Sequence, residues 1–209
     1  APEPPAPVMM SFDVSVSNIT NAQPLSPVAL IAHDGSFQAW AIGEAAGAGL
    51  EVLAESGSPA DLIAEADAAS VYMTAAGADV IMPGAGEMLA LSFEEQTDAV
   101  LSVATMLVNT NDAFIGAQNV DLSQLAVGDS VQLSLPVYDA GTEANSETAA
   151  SIPGPAAMGE GFNADRDDVD YVSRHPGVVT SSDGYSASAL TEAHRFDSPA
   201  ARITITRTE

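Results

Sequence analysis

Cysteine is absent from the 209 residues, and so is lysine. The first absence rules out disulfides, thiolate metal sites and cysteine nucleophiles. The second leaves five arginines against 29 acidic residues, a formal net charge of -24. No basic stripe can be assembled from so few cations, so nucleic acid is excluded as a partner and anionic membrane surfaces are disfavoured. No run approaches the ~20 apolar residues needed to span a bilayer. Aromatic residues make up only 5%, so Val, Leu, Ile, Ala and Met must fill the core. Catalytic signatures are missing too. His33, His175 and His194 are far apart and never in a zinc spacing such as HExxH, and no GxSxG elbow occurs. The glycines at 43, 47, 49, 84 and 86 lack the lysine and the strand–turn–helix context of a phosphate loop.

Hydrophobic residues make up 46% of the chain, enough for one substantial domain. Ala1 to Met9 reads as a flexible proline-rich lead-in, with the domain running from Met10 to Glu209. The opening APEPPAPVMM resembles a mature end left by signal-peptide cleavage, so the expected location is secreted, or periplasmic. In MSFDVSVSNIT, Phe12, Val14 and Val16 alternate with Asp13, Ser15 and Ser17, as in a half-buried strand. PVALIAHD and SFQAWAI are short apolar runs separated by an Asp34-Gly35 turn, with Trp40 on a short strand. The Ala-, Glu- and Leu-rich segment from Gly43 to Ala68 predicts two short helices. The second is expected to start at Ser58 as N-cap with Pro59 in its first turn.

β signals return in EMLALSFEE, VLSVATMLV, NTNDAFIGAQNVDL and DSVQLSLPVYDAG, the last with Val131, Leu133, Leu135 and Val137 alternating. Residues 151–188 read as loops with short ordered pieces, and ARITITR closes the chain as a strand. The expected fold is mainly β, an antiparallel β-sandwich with short helical insertions.

Acidic loops directly after predicted strands carry the functional signal. A hard cation such as calcium takes six to eight oxygens from carboxylates, amides, carbonyls and water. YDAGTEANSE offers Asp139 at a strand end, Gly141 for a bend, then Glu143 and Asn145. NTNDAFIG offers Asn109, Asn111 and Asp112 after another strand. Glu147 is expected to be solvated, and so is the loop NADRDDVD (163–170), which carries Arg166 and no glycine.

Three segments in order, LSVATMLVNTNDAFIG (101–116), VYDAGTEAN (137–145) and SPAARITITR (198–207), resemble the spondin N-terminal domain family. SVSNIT, QPLSP and LAESG add weaker matches, so the resemblance runs from about Met10 to Arg207. It implies a non-catalytic calcium-binding β-sandwich of adhesion and extracellular matrix proteins, with Asp112, Asp139 and Glu143 as metal ligands. Two positions depart from the animal members. Ala113 precedes Phe114 where they have Trp, and Glu143 stands where they have Asp. The implied partner is a cell-surface or matrix component, protein or glycan. An acidic coat resists self-association at low salt, and screening within ~8 Å at physiological strength relaxes that resistance. Two other readings stay open on the residues alone: a soluble ligand-binding carrier using Trp40 and Phe37, and a hydrolase around His33 or His194.

Overall fold

The computed structural model describes residues 6–209. Most of the proline-rich lead-in, residues 1–5, lies outside them. The first strand, β1, runs Met9–Asn18 and buries alternate residues, as its sequence predicts. It begins one residue before the expected domain start. The Val8 carbonyl already accepts the Glu95 amide at 2.8 Å.

Two antiparallel sheets form the sandwich. β1 lies between β4 (Gly86–Glu94) and β10 (Ala201–Arg207), and β7 (Ser130–Leu135) completes the first sheet in the order β4-β1-β10-β7. The second is β3-β2-β5-β6-β8-β9, from β2 (Ala29–His33), β3 (Met73–Ala76), β5 (Val100–Met106), β6 (Ala113–Asp121), β8 (Val137–Asp139) and β9 (Ser173–Arg174). Phe12, Val14, Leu91, Phe93, Ile203 and Ile205 of the first sheet meet Leu30, Leu101, Val103, Ile115 and Val137 of the second in one core.

The outer face of the six-stranded sheet is covered as well. Helices α1 (Ala48–Ser56) and α2 (Ala60–Ala68) pack Leu50, Leu53 and Leu62 against Ile31, Ala104, Phe114 and Tyr138. β2 is therefore buried at all five positions, the signature of a strand covered on both faces. α1 and α2 are the two expected helices. The second starts at Ala60, with Pro59 as N-cap and the Ser58 hydroxyl accepting the Ala60 amide at 3.5 Å. Trp40 lies on no strand. It sits 6% exposed in the helix-covered core, with ring centroids 5.1 Å from Phe114 and 5.6 Å from Tyr138.

The expected single strand through Val131 to Val137 is two. Leu135 pairs with Ala201 in the first sheet, and Val137 pairs with Ile115 in the second. Pro136 stands between them, lacking the N–H that would continue a ladder. The chain changes sheets there, and this carries Tyr138 and Asp139 alongside the start of β6.

Candidate metal centre

Asp112 immediately precedes β6, and Asp139 ends β8. The two strands are antiparallel with Ala113 opposite Asp139, so both aspartates come to the same end of the sheet. The NTND turn is shaped by Thr110, whose hydroxyl donates to the Leu107 carbonyl at 2.6 Å and accepts the Ala113 amide at 3.1 Å. In the facing loop, Asp139 Oδ1 accepts the Gly141 amide at 2.8 Å, a local Asx-type turn. Gly141 has φ +71°, and a Cβ there would collide with the Tyr171 carbonyl. Only glycine suits both constraints.

Asp112 is fully buried. Its Oδ2 accepts the amides of Thr142 at 2.8 Å and Glu143 at 3.2 Å, while Oδ1 has no hydrogen-bond partner. Asp139 is 4% exposed, and its Oδ2 accepts Asn145 Nδ2 at 2.7 Å. A third carboxylate joins them. Oxygens of Asp112, Asp139 and Asp168 all lie within 4.8 Å of one another. Two oxygens each about 2.4 Å from one calcium ion are at most about 5 Å apart, so one ion fits this spacing and donor chemistry.

The charges are uncomfortable as they stand. Burial, and then the Asp139 charge, push Asp112 up to about 8 against the two amides that pull it down. Burial and Asp139 also raise Asp168. His175 Nδ1 accepts the Gly177 amide at 3.0 Å, so the ring proton sits on Nε2, which lies 3.9 Å from Asp139 Oδ2. Burial lowers this histidine, keeping it neutral.

The expected residues divide. Asp112 and Asp139 come together, whereas the Glu143 carboxyl is not in the group of three. Glu143 supplies its main-chain amide to Asp112. Its side chain is pushed up to about 7 by burial and, among nearby carboxylates, most by Glu55. Asn109 and Asn111 spend their side-chain oxygens on the amides of Ala156 at 3.0 Å and Glu147 at 3.1 Å, so they brace loops. The expectation for Glu147 is overturned. It is 3% exposed, and its Oε1 accepts the Val179 amide at 3.1 Å.

The expectation of a solvated loop holds for most of residues 163–170, but Asp168 within it is half-buried beside Asp112 and Asp139. Arg166 donates to both Glu51 oxygens, at 3.0 and 2.7 Å, and to Asp170 at 2.6 Å. No spacing relative to Asp112 or Asp139 signals Asp168. It is delivered by tertiary hydrogen bonds.

The other histidines have ordinary settings. His33 is buried, its Nδ1 accepts the Gly35 amide at 3.0 Å, and its Nε2–H therefore donates to Ser102 Oγ at 2.9 Å. A ring that already donates to a serine cannot take that serine's proton. His194 lines an open groove of about 350 Å³ with Pro24, Met82 and Pro155, and these three also line a neighbouring apolar groove. Neither groove involves Trp40 or Phe37. No helix among the described residues is long and apolar enough to cross a membrane.

A family profile described as Spondin_N matches residues 19–156. The matched span contains Asp112, Asp139 and Glu143 and stops short of Asp168 and β10. No curated protein matches the chain.

Proposed function

The chain belongs to the spondin N-terminal domain family, and from that premise we propose that it is a secreted, calcium-binding, non-catalytic domain acting in cell-surface adhesion or extracellular matrix assembly. One observation carries the calcium part. Two buried carboxylates from different loops meet at one end of a sheet, and one oxygen of Asp112 is left without any partner. A buried acceptor without a partner costs about 1–3 kcal/mol, more when charged, and a hard cation removes that cost. Asp112 and Asp139 would hold the ion. It would supply charge neutralisation and a cross-link between the β5–β6 turn and the loop after β8, giving adhesion a rigid edge.

The non-catalytic reading is supported by the buried His33–Ser102 pair, whose proton already points the wrong way for a base. Adhesion is supported by the family and by the acidic coat, which suits a partner with basic or calcium-bridged groups. Isothermal titration of metal-free protein with calcium tests the first part. We expect one site, in the range of about 10⁻⁴–10⁻³ M that extracellular modules use, lost in Asp139→Asn. Calcium-dependent retention on immobilised matrix proteins and glycans tests the second. Absence of calcium binding overturns the metal reading, and retention indifferent to calcium overturns its link to adhesion.

A further inference from the structure

We propose that Asp168 is a third carboxylate ligand of this ion and that the segment 163–171 is a strap which the metal fastens over the site. The inference rests on the calcium reading above and extends it to residues beyond the family match, which ends at 156. Geometry comes first. An Asp168 oxygen lies within 4.8 Å of oxygens of both Asp112 and Asp139. The partnerless Oδ1 of fully buried Asp112 is an independent sign that something is to be bound there.

The strap is laid directly on the loop that carries Asp139. The Asp167 amide donates to the Thr142 carbonyl at 3.2 Å, and the Asp170 amide donates to the Gly141 carbonyl at 2.7 Å. In return, the Ala144 amide donates to Asp167 Oδ1 at 2.8 Å. At the start of the strap, the Asn163 amide donates to Glu55 Oε2 at 2.9 Å. These contacts hold Asp168 beside Asp112 and Asp139. The strap's own cation forms no ion pair with Asp112, Asp139 or Asp168, because Arg166 is engaged by Glu51, Asp170 and the Ala46 carbonyl. A cation among Asp112, Asp139 and Asp168 would turn mutual repulsion into a clasp. Asp168 would then take the ligand place that the resemblance gives to Glu143, whose carboxyl lies outside the group.

Hydrogen–deuterium exchange read by mass spectrometry, together with calcium titration, tests this on the full chain and on Asp168→Asn, with Asp165→Asn as a control for charge alone. Asp165 is exposed on the same strap, and its carboxyl is not in the group of three. In the unaltered protein, calcium should slow exchange in peptides covering 108–113, 137–143 and 163–171. Asp168→Asn should lose the protection of 163–171, keep part of that at the other two, and bind calcium at least about tenfold more weakly, since even residues outside the ligand shell are worth about 10- to 100-fold. Asp165→Asn should behave as the unaltered chain. If calcium protects 108–113 and 137–143 but never 163–171, and Asp168→Asn binds normally, the strap is refuted while the calcium reading survives. The strap is also refuted if Asp165→Asn weakens binding as much as Asp168→Asn. If calcium changes nothing anywhere, both fall.

Discussion

Withdrawing calcium is expected to destabilise the protein by an amount that grows with pH. The three aspartates bring oxygens within 4.8 Å, where two unit charges repel by about 3.5 kcal/mol at an effective dielectric constant of about 20. Without an ion, the fold relieves this by keeping a proton, and Asp112 is raised from 3.8 to about 8. A carboxyl raised in the folded state contributes stability that is fully present below its unfolded value of 3.8 and lost as pH rises through about 8. Glu55, Glu143 and Glu147, all raised by burial, act in the same direction. The metal-free protein should therefore melt at a lower temperature at about pH 8.5 than at about pH 5.5.

Calcium needs the deprotonated carboxylates, so its affinity rises over the same window. At a hundredfold excess over Kd it adds about 2.7 kcal/mol. At about 2–4 °C per kcal/mol for a domain of this size, that is about 5–11 °C in Tm. The assay is thermal unfolding followed by circular dichroism, with dialysed and calcium-loaded protein at both pH values. Asp139→Asn is the internal standard, since it keeps nearly the whole acidic coat and should show no calcium increment. An increment equal at both pH values, larger in acid, or retained in Asp139→Asn would refute the reasoning.

Two substitutions probe the frame. Gly141→Ala meets both a left-handed backbone and the Tyr171 carbonyl. It should cost at least about 2 kcal/mol, read as a lower urea midpoint, and an unchanged midpoint would mean that residue 171 does not seat there. Trp40→Ala empties a buried place against Phe114 and Tyr138 and should cost about 3–5 kcal/mol. A neutral result in the same urea titration would return Trp40 to the surface and revive a carrier role.

What the sequence disclosed depends on how many faces of each strand are covered. β1 and β10 alternate because one face meets the core and the other meets solvent. β2 is covered on both faces, so its five residues show no alternation and only their apolar run betrays them. Val131 to Val137 alternate without interruption, yet the chain changes sheets at Pro136 because hydrogen-bond partners, not side-chain pattern, decide membership of a sheet. Asp112 and Asp139 were readable because each abuts a strand whose position the fold fixes. Asp168 and Glu147 were not, because main-chain contacts distant in sequence hold them. The Glu147 amide reaches Asn111, and its carbonyl reaches Ala189. Charge was a poor guide to exposure at Glu147, which is 3% exposed.

The distribution of the five arginines leaves the three aspartates without a cationic side chain to neutralise them. Arg166 is committed to Glu51 and Asp170, Arg195 to Asp183, and Arg207 to Glu95. Arg174, on the strand beside β8, stacks its guanidinium 4.7 Å from the centre of the Tyr138 ring. Arg202 is exposed on β10. Thus none of Asp112, Asp139 and Asp168 has a salt bridge to arginine among the described residues, even though Arg166 and Arg174 both lie close by in the chain. An arginine at this point would neutralise one charge permanently and hold the loops whatever the medium. With the arginines placed elsewhere, neutralisation at this edge is left to a proton on Asp112 or, under the calcium reading proposed above, to a dissolved cation, which would make the closure of the edge responsive to calcium concentration.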